Sequence, residues 1–154
     1  METHMTFNLT KDQIEIQQRA RQIASTLVAE NAVEVDKSEQ YPWDNIKALT
    51  DAGFVGMTIP EEYGGPGRSF LDANLVVEEM AAYCGPTGRI AVEANMGAIS
   101  AVMHYGTDFQ KRLAAELVLA GDKPAICITE PDAGSAASQM TTRADKRGDR
   151  YVIN

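Results

Sequence analysis

The chain has few cysteines and no long apolar run, and each shortage excludes a class of protein. Its 154 residues include two cysteines, Cys84 and Cys127, each in an apolar stretch. Two such cysteines do not form the disulfide framework of a small secreted domain, so we expect buried free thiols and a reducing, cytoplasmic location. No apolar run reaches the ~18 residues that cross a membrane, so we expect no membrane-spanning helix.

Positive charge is the next shortage. The 14 Lys and Arg residues are outnumbered by 22 Asp and Glu residues, which gives a formal net charge of −8. Nucleic-acid binding requires clustered basic side chains, so we expect no nucleic-acid partner. The N-terminus lacks the charged and apolar blocks of a secretory signal peptide, so none is expected.

Metal ligands and activated nucleophiles are missing as well. His4 and His104 stand alone, and no cluster of His, Cys, Asp and Glu has the spacing of a metal site. Cys127 has no basic neighbour that would favour the reactive thiolate. We therefore expect no metal site and no catalytic residue within this chain.

Apolar residues recur at helical spacing through the first 122 residues, which predicts a helical bundle. Thr10 with Gln13, and Thr107 with Gln110, have the spacing of capping boxes at two helix N-termini. A polar connection is expected over residues 34–40. We expect five helices, over residues 10–33, 42–52, 69–83, 87–105 and 107–120.

The same spacing predicts which helical residues are buried. Trp43 should lie on the inner face of the second helix. In the third helix, Leu71 should point inward, whereas Asp72 and Glu79 should face solvent. The fourth helix, 87–105, is apolar nearly all round, which predicts burial in the middle of the bundle.

After Asp122 the pattern changes to that of strands. Residues 125–129 are mostly apolar and lie between Pro124 and Pro131, which predicts a short buried strand. Two more strands are expected, over residues 140–144 and 151–154. The expected fold class is α+β, with an all-α domain over residues 1–122 and the first strands of an incomplete antiparallel β domain over residues 123–154.

The predicted strand leads into a polar turn, Asp132-Ala133-Gly134-Ser135. Gly134 allows a positive φ or the close approach of a ligand, and Thr129 and Ser135 place two hydroxyls near the end of the strand. A turn of this kind, with free backbone N–H groups, can hold a planar heterocycle or a phosphate. An ordinary surface turn has the same residue types, so both interpretations stay open.

The stretch Thr129-Glu130-Pro131-Asp132-Ala133-Gly134-Ser135 resembles the T-E-P-x-A-G-S signature of the acyl-CoA dehydrogenase family. Residues 53–67 resemble a second sequence of that family, G-x-x-G-x-x-x-P-E-E-Y-G-G-x-G. The resemblance implies bound FAD, an acyl-CoA substrate, and a helical domain followed by a β domain. The resemblance covers the whole of this chain. It covers only about the first two-fifths of a family member, so we expect the chain to be part of a longer protein.

The resemblance also implies roles for individual residues. The flavin is expected to lie against residues 126–129, largely on backbone groups, and Ser135 is expected to face both the acyl-CoA and the cofactor. The family usually places Asp after this serine, where the chain has Ala136, which hints at a divergent subgroup. The implied cofactor-binding set is Ile126, Cys127, Ile128, Thr129, Gly134 and Ser135.

Arg89 has two interpretations. It lies near the start of the most apolar predicted helix, where an unpaired guanidinium is costly, and Glu93 one turn later could be its internal partner. In the family this helix lines the acyl cavity, so Ser135, Arg89 and Glu93 are also expected substrate-binding residues, with Arg89 paired to an anionic acyl terminus. The segments 41–43, 88–90 and 134–138 look similar to the sulfinopropionyl-CoA desulfinase branch.

The reaction that the resemblance implies is α,β-dehydrogenation of a short, anionic acyl-CoA, in which a base removes the α-proton and the β-hydride passes to the flavin. The base is expected outside this chain. Expected partners are the acyl-CoA, an electron-transfer flavoprotein and further copies of the chain in a homotetramer. Two alternatives stay open: carbon–sulfur cleavage by a desulfinase that can lack the base, and a non-catalytic partner subunit or helical interaction module.

Overall fold

A computed structural model describes residues 8–154, so that the expectation for His4 lies outside the described residues. This part of the chain is mostly helical and ends in one two-stranded antiparallel sheet, which confirms the α+β class. The helices are α1 (Lys11–Ile23), α2 (Ala29–Ser38), α3 (Trp43–Asp51), α4 (Phe70–Ala81), α5 (Gly85–Asn95), α6 (Ala98–Tyr105) and α7 (Asp108–Leu119). The strands are β1 (Ala144–Arg147) and β2 (Arg150–Ile153).

The first helical rod is longer than its sequence predicts. It starts at the expected capping box, in which the backbone N–H of Gln13 donates to Thr10 Oγ1 over 3.2 Å. A π-helical turn, Ala24–Val28, then joins α1 to α2 without a break, and the rod ends at Glu39 with φ of 54°. The expected polar connection is therefore wrong for residues 34–38, because Val35 still packs against the core.

Buried apolar side chains from α1 and its π-helical turn, from α3 to α7 and from the loop after α3 form one core. Helix α4 packs against both α1 and α5. Burial of such side chains is the main favourable term in folding. The largest fully buried apolar residues are Val28, Leu49, Phe54, Ile59, Val76, Met80 and Ile99.

Two acidic residues of α4 contradict the predicted burial pattern. Asp72 and Glu79 are buried, each 7% exposed, whereas Leu71 is 50% exposed. Asp72 caps its own helix and accepts from Gln13 Nε2 over 3.0 Å, and Glu79 accepts from Arg21 over 2.7 Å. The donors on α1 compensate the cost of burying these carboxylates, which the sequence of α4 alone does not reveal.

The fourth predicted helix is two helices, α5 and α6, separated at Met96 and Gly97. The buried carboxylate of Glu93 accepts from the first backbone N–H of α6, that of Ala98, over 3.0 Å. A side chain at position 97 would overlap this carboxylate. Burial of the whole predicted helix is wrong too, since Tyr105 near its end is 91% exposed.

The strand predictions hold in part. In the hairpin β1–β2, Ala144 pairs with Ile153 and Arg147 with Arg150. Residues 140–142 precede the ladder, while Arg143 and Asn154 exchange both backbone hydrogen bonds, each over 3.1 Å, at its open end. Trp43 is a further exception to the predicted burial, because 51% of it is exposed at the start of α3.

Candidate functional site

An exposed segment at residues 125–129 leads into the candidate site. These residues form no strand, and within residues 8–154 their backbone groups make no hydrogen bond to the rest of the chain. Ile126 is 41% exposed and Ile128 55% exposed, so the predicted buried strand is wrong, as is the predicted burial of Cys127. We call residues 125–129 the open segment. It presents unpaired backbone donors and acceptors beside apolar side chains.

A tight turn follows the open segment. The backbone N–H of Glu130 donates to the carbonyl of Ala133 over 3.1 Å, and the N–H of Ala133 donates back over 3.2 Å. Ala133 is buried, whereas Gly134 and Ser135 on the far side of the turn are exposed. The turn therefore holds the start of the glycine–serine pair in place and leaves its surface open.

Glu130 closes the larger loop that carries this pair. Its carboxylate accepts from the backbone N–H of Thr141 over 2.9 Å, from that of Thr142 over 2.8 Å, and from the Thr141 hydroxyl over 3.1 Å. These hydrogen bonds, the backbone donor of Thr141 first, lower the pKa of Glu130 to about 2. The sequence analysis missed this residue, although it lies inside the signature.

The two predicted hydroxyls are available for a ligand. Within residues 8–154, neither Thr129 nor Ser135 makes a side-chain hydrogen bond, and both are exposed. Gly134 does not have a positive φ here, so the first of the two reasons predicted for a glycine at this position does not apply. A Cβ at this position would meet nothing within 4 Å, so the space above the turn is open to another molecule.

The structure places Arg89 in an ion pair. Its guanidinium pairs with the carboxylate of Glu93 one helical turn later, and the Arg89 side chain is 66% exposed while that of Glu93 is 9% exposed. The costly burial that the sequence analysis expected for Arg89 is therefore wrong. Within the described chain, no hydrogen bond or ion pair joins either residue to residues 126–135.

An apolar cavity of about 200 Å³ adjoins the start of the open segment. It lies between α6, α7 and residues 122–125, and neither Arg89 nor Glu93 lines it. Its size suits a small apolar group, such as part of a short acyl chain. Its apolar walls include Ile99, Val102, Ala114, Leu117, Val118 and Pro124.

Within residues 8–154, no three His, Cys, Asp or Glu side chains are grouped as metal ligands would be. In the same range, no helix has both the length and the apolar character needed to cross a membrane.

Comparisons with known proteins agree with the motifs. The model for the family "Acyl-CoA dehydrogenase, N-terminal domain" matches residues 10–122. A Variovorax paradoxus protein named 3-sulfinopropanoyl-CoA desulfinase is 60% identical over 148 residues, which cover 96% of this chain and 37% of the relative. A Clostridium acetobutylicum protein named short-chain specific acyl-CoA dehydrogenase is 36% identical over 151 residues, which cover 97% of this chain and 40% of the relative.

A solved structure supports the same relationship. Glutaryl-CoA dehydrogenase from Mycobacterium smegmatis, in complex with FADH2, matches with a TM-score of 0.84 and 27% identity. The match covers 95% of this chain and 38% of that one. The chain thus spans 37% to 40% of the length of these three proteins.

The hydrogen bonds that Glu130 accepts from Thr141 and Thr142, here called the Glu130 brace, should stabilise the loop in a pH-dependent way. Because its folded pKa is depressed, the carboxylate stabilises the loop at pH above its usual value near 4.5, and this contribution is lost as pH falls towards 2. Glu130→Gln should therefore lower the urea midpoint of the complete protein at pH 6, and the difference from wild type should shrink by pH 3. Glu116→Gln, at an exposed position of α7, is the control. A difference of equal size at both pH values would contradict the brace.

Proposed function

This chain belongs to the acyl-CoA dehydrogenase family, and we propose that the complete protein is an FAD-dependent enzyme acting on a short, anionic acyl-CoA thioester. The activity belongs to a longer polypeptide than the 154 residues given, since the relatives are more than twice as long. In this proposal the helical domain ends at residue 122. Residues 123–154 begin the β domain.

The open segment carries the proposal, because its chemistry fits one face of a flavin. A flavin ring is flat and apolar across its faces, with hydrogen-bonding atoms along one edge. The open segment offers the complement: exposed Ile126 and Ile128 beside backbone groups that have no partner within residues 8–154. Buried backbone groups need partners, so the edge of a ring that covers this segment, together with the rest of the β domain, would have to supply them.

Each residue of the proposed site has a definite task. The backbone of residues 126–129 and the Thr129 hydroxyl hold the edge of the ring, and Ser135 donates its hydroxyl to the cofactor or the thioester. Gly134 keeps the space above the turn clear, and Glu130 holds the loop in shape. In the dehydrogenation, bound FAD would supply the hydride acceptor. The residues of this chain fix the position of the ring relative to the substrate. Such positioning accounts for much of the rate enhancement of enzymes.

Arg89 and Glu93 are the proposed determinants of substrate charge. The ion pair in the structure is the internal partnership that the sequence analysis left open, and it does not use all five donors of the guanidinium. An exposed guanidinium held by a buried, helix-capping carboxylate has a fixed position. We therefore propose that Glu93 orients Arg89, and that the remaining N–H groups of Arg89 bind an anionic acyl terminus.

Two reactions are candidates. The comparisons reverse the order of preference that the sequence alone suggested. The 60% identity to a protein named desulfinase, against 36% to one named dehydrogenase, favours cleavage of a carbon–sulfur bond. In that reaction 3-sulfinopropanoyl-CoA and water give propanoyl-CoA and sulfite. Dehydrogenation of an anionic acyl-CoA is the second candidate, and the glutaryl-CoA dehydrogenase neighbour supports it. A non-catalytic partner subunit is the third.

The remaining expectations follow from the same proposal. The complete protein acts as a homotetramer in the cytoplasm, and an electron-transfer flavoprotein is needed only if the reaction is a dehydrogenation. These features are proposed from the family.

The reaction can be decided with the complete protein. We expect 3-sulfinopropanoyl-CoA to yield stoichiometric sulfite and propanoyl-CoA without an external electron acceptor. Acceptor-dependent formation of an enoyl-CoA from an anionic acyl-CoA, with no sulfite from the sulfinate, would support dehydrogenation instead. Purified protein with no flavin absorbance and no turnover of either substrate would contradict both enzymatic proposals.

The role of Arg89 can be measured with two ligands of equal length. Succinyl-CoA ends in a carboxylate, whereas butanoyl-CoA is neutral. A charge-assisted hydrogen bond is worth roughly 1.5–3 kcal/mol, so Arg89→Met should weaken succinyl-CoA binding by about 10- to 150-fold and leave butanoyl-CoA nearly unchanged. Arg89→Lys should recover part of the loss, because it keeps the charge without the planar fork. Perturbation of the flavin spectrum reports both affinities.

Two further variants separate substrate binding from a purely structural ion pair. Arg112→Met removes the other exposed arginine that is paired within its helix at i,i+4, and it should affect neither ligand. If Arg89 only neutralises Glu93, then Glu93→Gln in the Arg89→Met background should restore succinyl-CoA binding. That restoration, or equal losses for both ligands, would rule out the proposed role of Arg89.

A further inference from the structure

One lysine joins the helical bundle to the chain that leads into the open segment. The ammonium of Lys123 lies 4.7 Å from the ring centroid of Tyr41 and 4.7 Å from that of Trp43. The two rings stand 4.6 Å apart at an interplanar angle of 59°. A cation over an aromatic face is attracted by the electrons of the ring. Lys123 therefore has two such attractions at once, and we call these three residues the lysine clamp.

The lysine clamp joins two parts of the chain that lie far apart in the sequence. Tyr41 and Trp43 lie at the corner between α2 and α3, whereas Lys123 lies eighty residues later, two residues before the open segment. Between Lys123 and Glu130, no hydrogen bond, ion pair or cation–π contact joins the chain to the helices within residues 8–154. The clamp is thus the last polar attachment before the proposed flavin surface.

A neighbouring contact holds the same connector against α3. Gly121 has φ of 86°, and a Cβ there would lie 2.8 Å from Thr50 Oγ1. The backbone therefore passes directly over α3 just before it reaches Lys123. The close approach of Gly121 to α3 and the contacts of Lys123 with Tyr41 and Trp43 together restrict the direction in which the connector leaves the bundle.

Contacts of the aromatic ring, and not a hydrogen bond of the hydroxyl, hold Tyr41 in the lysine clamp. The hydroxyl oxygen of Tyr41 is buried and has no hydrogen-bond partner within residues 8–154. Burial, and then the nearby charge of Asp122, raises the pKa of Tyr41. A buried hydroxyl without a partner is unfavourable, so contacts of the ring must hold the side chain there.

We propose that Lys123 is a positioning residue: its contacts with Tyr41 and Trp43 fix the angle at which the open segment leaves the bundle, and so the fit of the segment to the flavin. The inference rests on the proposed function, since it concerns the same cofactor surface. It adds a residue that lies outside the signature, and that no periodicity or motif in the sequence connects with Trp43.

The test is the FAD affinity of the complete protein, measured by adding FAD to deflavinated wild type and variants. Loss of two partly exposed cation–π contacts in Lys123→Met should raise the FAD dissociation constant by about 5- to 25-fold. Lys123→Arg keeps the cation and should recover most of the affinity. Lys47→Met removes another exposed lysine, paired with Asp51 on the same α3, and should have no effect.

Trp43→Phe provides a second route to the same answer. It should weaken FAD binding less than Lys123→Met does, and the double variant should be no worse than Lys123→Met alone, because both changes break one interaction. Additive losses, failure of Lys123→Arg to rescue, or unchanged FAD affinity in Lys123→Met would overturn the inference.

A fluorescence measurement distinguishes failure of the clamp from failure of the proposed function. The emission of Trp43, isolated as the difference between each protein and its Trp43→Phe variant, should change when Lys123 becomes Met. Wild type that binds no FAD would contradict the proposed function and this role of Lys123, while a changed Trp43 emission would still establish the clamp as a contact. Unchanged emission would contradict the clamp whether or not the protein binds FAD.

Discussion

A run of backbone groups without partners is the constraint on which the account depends. Residues 125–129 leave the helical bundle with no hydrogen bond to the rest of residues 8–154 and with two partly exposed isoleucines. Backbone N–H and C=O groups are nearly always paired once they are buried. The open segment must therefore either stay in water or be covered, by further strands of the longer polypeptide, by a molecule that offers both an apolar face and hydrogen-bonding atoms, or by both. The features around it make the second outcome coherent: Glu130 braces the loop that follows, and Lys123 fixes the connector that precedes it.

The sequence predicts those parts of the fold that depend on neighbours along the chain. The capping boxes at Thr10 and Thr107 form as expected, because the partners lie three residues apart. The burial of Asp72 and Glu79 could not be predicted in this way, since Gln13 and Arg21, which compensate the buried charge, lie almost sixty residues earlier. The break between α5 and α6 was missed for a different reason. Periodicity continues across it, and the cause is a buried carboxylate that caps α6.

The same division applies to the candidate site. The signature identified the open segment and its turn by resemblance, and the exposed hydroxyls of Thr129 and Ser135 are compatible with that prediction without testing it. Spacing along a helix also revealed Arg89 and Glu93 as a pair. Glu130 was overlooked because its donors, Thr141 and Thr142, lie beyond a loop of ten residues. No pattern in the chain relates Lys123 to Tyr41 and Trp43, so only the fold brings these three together.

Hydrogen–deuterium exchange of the complete protein, with and without FAD, tests the central claim most directly. An amide exchanges slowly when its N–H is hydrogen-bonded and shielded, so peptides that span residues 124–130 report on the open segment itself. The account predicts that FAD slows exchange in these peptides and leaves peptides from α4 unchanged. Stoichiometric FAD binding with protection elsewhere and none in residues 125–129 would contradict it.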